Sequence, residues 1–180
     1  MAELEFRTAT ERDVDAVVAL VQSAYRGPAS QRGWTTEADL LDGQRVDPDM
    51  LREVLAQPST DVVLVHRDGR LVGCCELERP RSAGGAAHLG MFAVDPEQQG
   101  GGLGRAVLEH AERLVQGWGA ESIELSVIEQ RTELIAWYGR RGYADTGRRE
   151  DFPYGDERFG RPRRDDLRFV VLAKPLTSDA

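Results

Sequence analysis

Four glycines within five residues, directly after an Asp-Pro turn, constrain this 180-residue chain more than any other feature. They lie in the segment Asp95-Pro96-Glu97-Gln98-Gln99-Gly100-Gly101-Gly102-Leu103-Gly104-Arg105. An apolar run precedes this segment and apolar residues at helical spacing follow it, which predicts a strand, a turn and a helix. Consecutive glycines let backbone N–H groups approach an anion, and a helix N-terminus favours negative charge. The segment therefore predicts a loop that binds a phosphate or pyrophosphate.

The rest of the chain predicts a mixed α/β or α+β domain around this loop. Period-two alternation predicts strands over 4–7, 62–66, 71–78, 86–94, 123–127, 143–148 and 167–174. Helical spacing predicts helices over 14–25, 48–55, 103–116 and 133–141. Thr10 with Asp13 indicates the first helix start, and Gly27-Pro28 its end. Asp68-Gly69 indicates a two-residue hairpin. A loop of about 18 residues before the last strand is long enough to be functional.

The length and charge of the chain limit its number of domains and its possible partners. We expect one domain over 1–180, since a domain usually has about 100–200 residues and the sequence contains no repeat or linker. The formal net charge of −8, from 23 basic and 31 acidic residues, argues against a nucleic-acid partner. The acidic balance suits a cationic acceptor instead. Lys174 is the only lysine, so nearly all positive charge is guanidinium.

Cysteine and histidine usage argues against disulfide and metal chemistry. Cys74 and Cys75 are adjacent and cannot easily pair with each other, which fits a reducing, cytoplasmic location. Their predicted mid-strand position is typical of buried, inert thiols rather than of a reactive nucleophile. The three histidines are scattered, so we expect no metal site. No apolar run approaches the length of a membrane span, and the N-terminus does not resemble a signal peptide.

Three glycine motifs have to be distinguished. The phosphate loop of nucleotide hydrolases needs Gly-Lys-Ser/Thr, and the single lysine is far away. The dinucleotide fingerprint fails because Val107 stands where its third glycine should be. The third pattern, Gln/Arg-x-x-Gly-x-Gly/Ala, is matched by Gln99-Gly100-Gly101-Gly102-Leu103-Gly104. On these residues the chain resembles the GNAT N-acetyltransferase superfamily, whose coenzyme A pyrophosphate loop has that form.

The resemblance covers nearly the whole chain. The opening segment 6–13 resembles the family's first strand and helix start, and Phe92-Ala93-Val94-Asp95-Pro96 resembles the strand that precedes the family's loop. Segment 137–143, with Tyr138 and Gly142, resembles the family's "Y-x-x-x-G-F/Y" motif. The implied fold is a mixed, mostly antiparallel central sheet of about six or seven strands flanked by helices. Two of its strands splay apart and hold acyl-CoA between them.

The resemblance also implies a set of acetyl-CoA contacts. Backbone groups of Phe92, Ala93 and Val94 are expected to bond the pantetheine arm as an added strand would. The pyrophosphate is expected at Gln99, Gly100, Gly101, Gly102, Leu103, Gly104 and Arg105. Many family members carry an asparagine near the start of the third helix, and Arg131 stands at that position here. We expect Arg131 to contact the cofactor differently.

The expected chemistry is direct transfer to an amine within a ternary complex. Tyr138 stands where the family's general-acid tyrosine protonates the coenzyme A sulfur. His88 stands near the position of a glutamate base in histone-type members, and strand alternation places it on the face of Phe92 and Val94, barring a bulge. Glu76 and Glu78 share a face of the preceding strand and are rival bases. Ser126 stands where another branch has its glutamate, so that base is absent.

The acceptor is expected between two segments that lie outside the common core, 33–39 and 152–160. Trp34, Phe152 and Tyr154 are the candidate substrate-binding residues there. The sequence thus predicts an acetyl-CoA:amine N-acetyltransferase for a small-molecule or peptide amine, with no nucleic-acid or membrane partner. A homodimer is left open. The alternatives are a non-catalytic acyl-CoA sensor on the same fold and, more remotely, a binder of another nucleotide.

Overall fold

The chain alternates strands and helices in the predicted order, and the computed structural model describes residues 3–176. The strands are β1 (Leu4–Thr8), β2 (Leu41–Asp42), β3 (Thr60–Arg67), β4 (Arg70–Glu78), β5 (Ala86–Val94), β6 (Ser122–Ile128), β7 (Ala144–Asp151), β8 (Arg161–Pro162) and β9 (Arg168–Pro175). The helices are α1 (Val14–Tyr25), α2 (Gly27–Ser30), α3 (Pro48–Leu55), α4 (Leu103–Gly117) and α5 (Thr132–Gly139). The short elements β2, α2 and β8 are present in the structure but were not predicted from the sequence.

Seven strands form one sheet in the order β1-β3-β4-β5-β6-β9-β7. β5 and β6 pair parallel, and the other neighbours pair antiparallel. This arrangement confirms the predicted mixed, mostly antiparallel sheet flanked by helices. The Asp68-Gly69 turn between β3 and β4 has both residues at positive φ, 51° and 74°, as a two-residue hairpin requires.

Helices cover both faces of the sheet because each helix has one apolar stripe. On one face, α4 buries residues at helical spacing against β4 and β6; they are Leu103, Val107, Leu108, Ala111 and Val115. Tyr138 of α5 joins the same core. On the other face, α1 and α3 bury Val17, Val21 and Leu51 against Val62 and Leu64. The sheet therefore separates two cores, and a site between its strands can be reached from both.

Helix starts follow the predicted capping residues. The Thr10 amide donates to Asp13 Oδ2 at 2.8 Å, and the Asp47 carboxylate accepts from the Met50 amide at 2.8 Å. Gly27 and Pro28 do more than end α1, which already stops at Tyr25. They begin the short α2, because proline's fixed φ suits the first helical turn.

A bulge in β5 changes which side chains share a face. Met91 has φ 42°, and the β4–β5 register shifts between Cys74 and Glu76. Leu89 lies in the same core as Val94, whereas Met91 and Ala93 lie in the opposite core. His88 therefore does not share the face of Phe92 and Val94: that face was predicted barring a bulge, and the bulge at Met91 interrupts the alternation.

The segments before α3 and before β9 are joined to each other. β2 and β8 pair antiparallel, with Leu41 opposite Pro162 and Asp42 opposite Arg161. The Arg163 amide donates to the Leu40 carbonyl at 2.9 Å, and its guanidinium lies 2.5 Å from Asp42. Two stretches more than 100 residues apart in sequence thus form one wall beside the sheet.

Two glycines around the end of α5 should respond oppositely to alanine. Gly142 has φ 91°, where a Cβ costs about 1–2 kcal/mol. Gly139 lies in the helix and an added Cβ would meet nothing within 4 Å. We expect Gly142→Ala to lower the free energy of unfolding by about 1–2 kcal/mol. Gly139→Ala should raise it by up to about 1 kcal/mol. Urea denaturation measures both, and equal effects would contradict this assignment.

Candidate active site

The site begins where β5 and β6 part. The two strands pair at only three positions, from Ala86 opposite Ser122 to His88 opposite Glu124. β5 continues to Val94 with β4 on its other side, while β6 continues to Ile128 alongside β9. The bulge at Met91 bends β5 just beyond the last pair. The result is a gap in the middle of the sheet, bordered by an unpaired edge of β5.

The glycine loop lies at the end of this gap. Gly100 has φ 93° and Gly102, the residue before α4, has φ 78°. A Cβ at Gly100, Gly101 or Gly102 would meet nothing within 4 Å, so the backbone there is open to a ligand. Leu103 is buried and can contribute only its amide. The loop therefore presents bare backbone donors at the N-terminus of a fifteen-residue helix, as a diphosphate requires.

Gln99 ties the glycine loop to the segment after α2. Its Oε1 accepts from the Trp34 amide at 2.9 Å, and its Nε2 donates to Thr35 Oγ1 at 2.9 Å. A Cβ on Gly33 would lie 2.5 Å from Gln99 Oε1, so glycine at position 33 permits this close approach. The first residue of the glycine motif thus positions the loop through its side chain.

Aromatic rings wall the loop on its other side. Trp137 of α5 lies 5.7 Å from Trp34, centroid to centroid, and the Arg141 guanidinium lies 3.7 Å from the Trp137 ring centroid. A Cβ on Gly104 would lie 3.4 Å from Trp137 Cζ2. At Gly104, α4 and α5 are therefore close enough for an added Cβ to be in van der Waals contact with the Trp137 ring.

Two cavities meet at the gap. The smaller, of about 280 Å³, is bounded by the glycine loop, the end of β5 and α5, and its lining includes Trp34, Val94, Gly102 and Arg105. The larger, a cleft of about 840 Å³, opens along the parted strands toward β7 and the β2–β8 wall. Four residues line both cavities: Tyr25, Phe92, Leu134 and Tyr138. A group bound in one cavity can therefore reach a group bound in the other.

Two tyrosines occupy this junction. Tyr138 is 4% exposed and packs edge-on against Trp137, Phe92 and Tyr143. Burial raises the pKa of Tyr138 far above its usual value, so the phenol stays protonated at neutral pH. Tyr25 donates its hydroxyl to the Phe92 carbonyl, and burial raises the pKa of Tyr25 to about 12. Tyr138 is therefore a protonated phenol at the junction, while Tyr25 fixes the edge of β5.

The candidate bases lie together on one face of the sheet. Glu78 stands opposite His88, and His88 opposite Glu124, so the three form a row across β4, β5 and β6. Glu78, His88 and Glu124 all line the wide cleft. Glu76 lies one position nearer the bulge, with its Oε2 against Gly90. Burial raises the pKa of Glu76, and the charge of Glu78 raises it further, which makes its carboxylate a stronger base.

Arg131 lies in a buried ion network instead of the glycine-loop cavity. Its guanidinium donates to Glu37 Oε1 at 3.2 Å and to the Thr35 carbonyl at 2.6 Å. Arg26, 1% exposed, also pairs with Glu37 and donates to the Phe159 carbonyl at 3.2 Å. This network joins α1, the segment after α2 and α5, and the cofactor contact expected of Arg131 stays a prediction.

The three predicted acceptor residues lie in different places. Phe152 is buried and lines the wide cleft, stacked near Phe169. Trp34 lines the glycine-loop cavity, because Gln99 holds its backbone there. The Tyr154 hydroxyl donates to the Arg164 carbonyl and accepts from the Leu167 amide, at 2.9 and 2.8 Å, and so stabilises its own loop. Only Phe152 of the three faces the side of the gap where an acceptor was expected.

Residues 3–176 give little support to cysteine or metal chemistry or to a membrane span. Cys74 and Cys75 are fully buried in mid-strand, and burial raises the pKa of both thiols, that of Cys74 to about 12. In this part of the chain, no cluster of three or more His, Cys, Asp or Glu side chains could hold a metal ion. No helix of these residues is both long and apolar enough to cross a bilayer.

Sequence reasoning missed Tyr25, Arg26 and Arg45 as residues of the site. Tyr25 and Arg26 stand at the end of α1, where helical spacing marks the tyrosine simply as core. Glu37 lay inside an expected substrate segment, but its burial between two arginines has no signature in sequence. These residues are brought together only by the packing of distant segments.

Glu37 should be essential for stability. Its removal leaves Arg26 and Arg131 buried without their shared carboxylate, which costs about 3–5 kcal/mol. We expect Glu37→Ala to lose that much unfolding free energy at pH 7. Although burial opposes ionisation, Arg131 and Arg26 lower the pKa of Glu37 below its ordinary 4.5. The unfolding free energy that Glu37 contributes is therefore fully present above pH 4.5. It is lost as the pH falls through the lower pKa that Glu37 has in the folded protein.

Denaturant titrations of wild type and variant between pH 3 and pH 7 measure this difference. Glu97→Ala is the matched control, since Glu97 pairs with Arg32 at 3.0 Å but both side chains are mostly exposed. The control should change stability little. A loss in Glu37→Ala no larger than in Glu97→Ala would contradict the role of the buried network.

The chain matches the profile of the Acetyltransferase (GNAT) family over residues 17–143. It is 30% identical to the "IAA acetyltransferase" of Azospirillum brasilense over 124 residues, which are 69% of this chain and 73% of that protein. Several longer curated relatives match at 33–34% identity, and the chain spans only 20–21% of their length.

Solved structures of acetyltransferases share the fold. The ribosomal-protein-S18-alanine N-acetyltransferase from Escherichia coli superposes with a TM-score of 0.71 and 18% identity, over 99% of this chain and 97% of that chain. N-acetylglutamate synthase from Neisseria gonorrhoeae, complexed with coenzyme A and N-acetyl-glutamate, gives 0.65 and 20%, over 99% of this chain and 36% of that chain. The family profile matches residues 17–143, and the glycine loop and the parted strands lie within that match. This chain therefore belongs to the GNAT acetyltransferase family.

Proposed function

We propose that this protein transfers an acetyl group from acetyl-CoA to a primary amine, by direct attack within a ternary complex. One observation carries the proposal: Tyr138 and Phe92 line both cavities where β5 and β6 part. Acetyl-CoA supplies a thioester carbonyl, whose C–S bond breaks as the amine nitrogen bonds to its carbon. This function also agrees with the name of the structural neighbour from Escherichia coli, an N-acetyltransferase.

The smaller cavity fits the cofactor. The backbone from Gln99 to Gly104 offers the diphosphate bare amides, and the open space at Gly100 to Gly102 leaves room for its oxygens. Arg105 lines this cavity but pairs with Glu109 at 2.7 Å, so it can add charge without being fixed on the phosphate. The unpaired edge of β5 from Phe92 through Ala93 to Val94 is open to an extended pantetheine arm. Tyr25 already uses one lone pair of the Phe92 carbonyl.

In this proposal, different residues carry out the two proton transfers, one from the acceptor amine and one to the departing sulfur. Glu76 or His88 accepts a proton from the acceptor ammonium, directly or through water, which frees the nitrogen lone pair for attack. Glu78 is the third candidate on the same face. On the other side of the gap, Tyr138 donates its phenol proton toward the departing sulfur. The aromatic rings packed on Tyr138 bury its phenol, and electrostatic interactions are stronger in such less polar surroundings.

The glycine loop can be tested with two glycines at opposite ends of α4. Gly102 and Gly119 both have positive φ, 78° and 82°, and an added Cβ meets nothing within 4 Å at either. Valine should strain both positions similarly, but only Gly102→Val should disturb the phosphate-binding backbone. We expect that variant to bind acetyl-CoA at least about tenfold more weakly by calorimetry, a loss of about 1.4 kcal/mol. Unchanged affinity in folded Gly102→Val would remove the basis of the proposal.

Tyr138→Phe tests the chemical step. Loss of the phenol should lower kcat about 100-fold or more while the KM for acetyl-CoA changes little, since the ring contacts persist. The assay is thiol release from acetyl-CoA with a panel of primary amines. Tyr143→Phe is the control, because its hydroxyl donates to Glu112, at 3.0 Å, and not into the junction. Coenzyme A binding without turnover of any amine would favour the non-catalytic sensor.

A further inference from the structure

Among the described residues, Arg45 lines the wide cleft without forming a salt bridge to a carboxylate. Six arginines line it: Arg26, Arg45, Arg79, Arg81, Arg131 and Arg148. Five of them have a carboxylate oxygen within 4.0 Å. For Arg45, no such oxygen exists among residues 3–176. A half-buried guanidinium is costly without a counter-anion, so an external anion is the group that would complete the cleft.

Arg45 is held toward the junction of the two cavities. Its backbone amide donates to Gln22 Oε1 at 3.0 Å, and the following Val46 is buried in the α1–α3 core. The guanidinium lies 5.6 Å from the centre of the Tyr25 ring. The hydroxyl of that same ring is bonded to the Phe92 carbonyl. A single tyrosine side chain therefore separates Arg45 from the edge of β5.

The charge around Arg45 has a positive excess. Arg26 and Arg131 share the single carboxylate of Glu37. Arg45 lies near enough to act on the same groups: burial lowers the pKa of Arg26 and the charge of Arg45 lowers it further. Its charge acts on two carboxylates: burial raises the pKa of Glu76, the candidate base, and Arg45 lowers it. For Glu37, burial opposes ionisation, but Arg131, Arg26 and Arg45 together lower the pKa. Three guanidinium groups thus stand near two carboxylates, Glu37 and Glu76.

We propose that Arg45 binds a carboxylate of the acceptor, so that the acetylated amine is a small amino acid. The carboxylate lies on Arg45, over the Tyr25 ring, and the amine lies toward Glu76 and the edge of β5. This places the two charged ends of a zwitterion beside groups of opposite charge. The inference rests on the proposed amine acetylation and deepens it.

The phosphates of coenzyme A are not the anion in question. Arg45 lines the wide cleft, whereas Arg105 and Arg141 line the cavity beside the glycine loop. A long peptide acceptor would not need a carboxylate so close to its reacting amine. A short spacing between the amine and the carboxylate is what a free amino acid provides.

The test compares acceptors that differ only in the carboxylate. The probes are the L-amino acids, their α-amides and the matching decarboxylated amines, assayed by thiol release with saturating acetyl-CoA. We expect amino acids to be the better substrates. Arg45→Met should raise their KM roughly 10- to 100-fold, with the KM for acetyl-CoA and turnover of the decarboxylated amines unchanged. Arg45→Lys should fall between, since it keeps charge but loses the bidentate geometry.

Arg52→Met is the matched control, because it removes a positive charge from α3 at an exposed ion pair with Glu11. It should leave both acceptor series unchanged. Transfer with no preference for the carboxylate, or equal loss in both series with Arg45→Met, overturns the inference and leaves the proposed function standing.

If wild type acetylates no amine, the proposed function fails, and calorimetry of the amino acids with the coenzyme A complex decides the role of Arg45. Binding that Arg45→Met abolishes and Arg52→Met preserves supports it. Absence of amino-acid binding to wild type overturns it.

Discussion

The parting of two parallel strands is the constraint on which the site depends. β5 and β6 pair at three positions and then diverge, and the positive φ at Met91 bends β5 where the pairing stops. A continuous ladder would fill the middle of the sheet with paired backbone and leave no path between its faces. Because the ladder is interrupted, the glycine-loop cavity and the wide cleft share Tyr25, Phe92, Leu134 and Tyr138. The candidate active site is therefore a consequence of the interrupted pairing between β5 and β6.

Polar contacts between distant segments hold the two sides of the gap in place. Gln99 couples the glycine loop to residues 33–35, and Glu37 couples that same stretch to α1 and α5 through two arginines. β2 and β8 then join it to the loop before β9. The single segment between α2 and α3 thus contacts both the glycine loop and the wall of the wide cleft. Its backbone connects the two halves of the site.

The strands and helices could be predicted from the sequence more readily than the contacts between them. Strands and helices followed from local periodicity, and the bounds predicted for β5 coincide with the observed Ala86–Val94, because its apolar run and flanking turns are local signals. The face of His88 differs from the one that unbroken alternation predicts, since the bulge at Met91, directly after Gly90, reverses the alternation. Trp34 and Tyr154 were grouped with Phe152 because all three lie in segments outside the core that the family resemblance implies. Their backbone and hydroxyl partners lie elsewhere in the sequence and separate them in space.

The amino-acid sequence by itself determined the glycine loop, the strand before it, the helix after it and the position of Tyr138 on the next helix. Each of these depends on the conformational range of a few adjacent residues, which glycine, proline and apolar spacing control directly. Only the tertiary structure decided that Tyr25 fixes the edge of β5, that Arg131 pairs with Glu37, and that Arg45 lacks a carboxylate partner among the described residues. Burial and charge pairing are properties of segments brought together across the whole fold, and no local pattern encodes them.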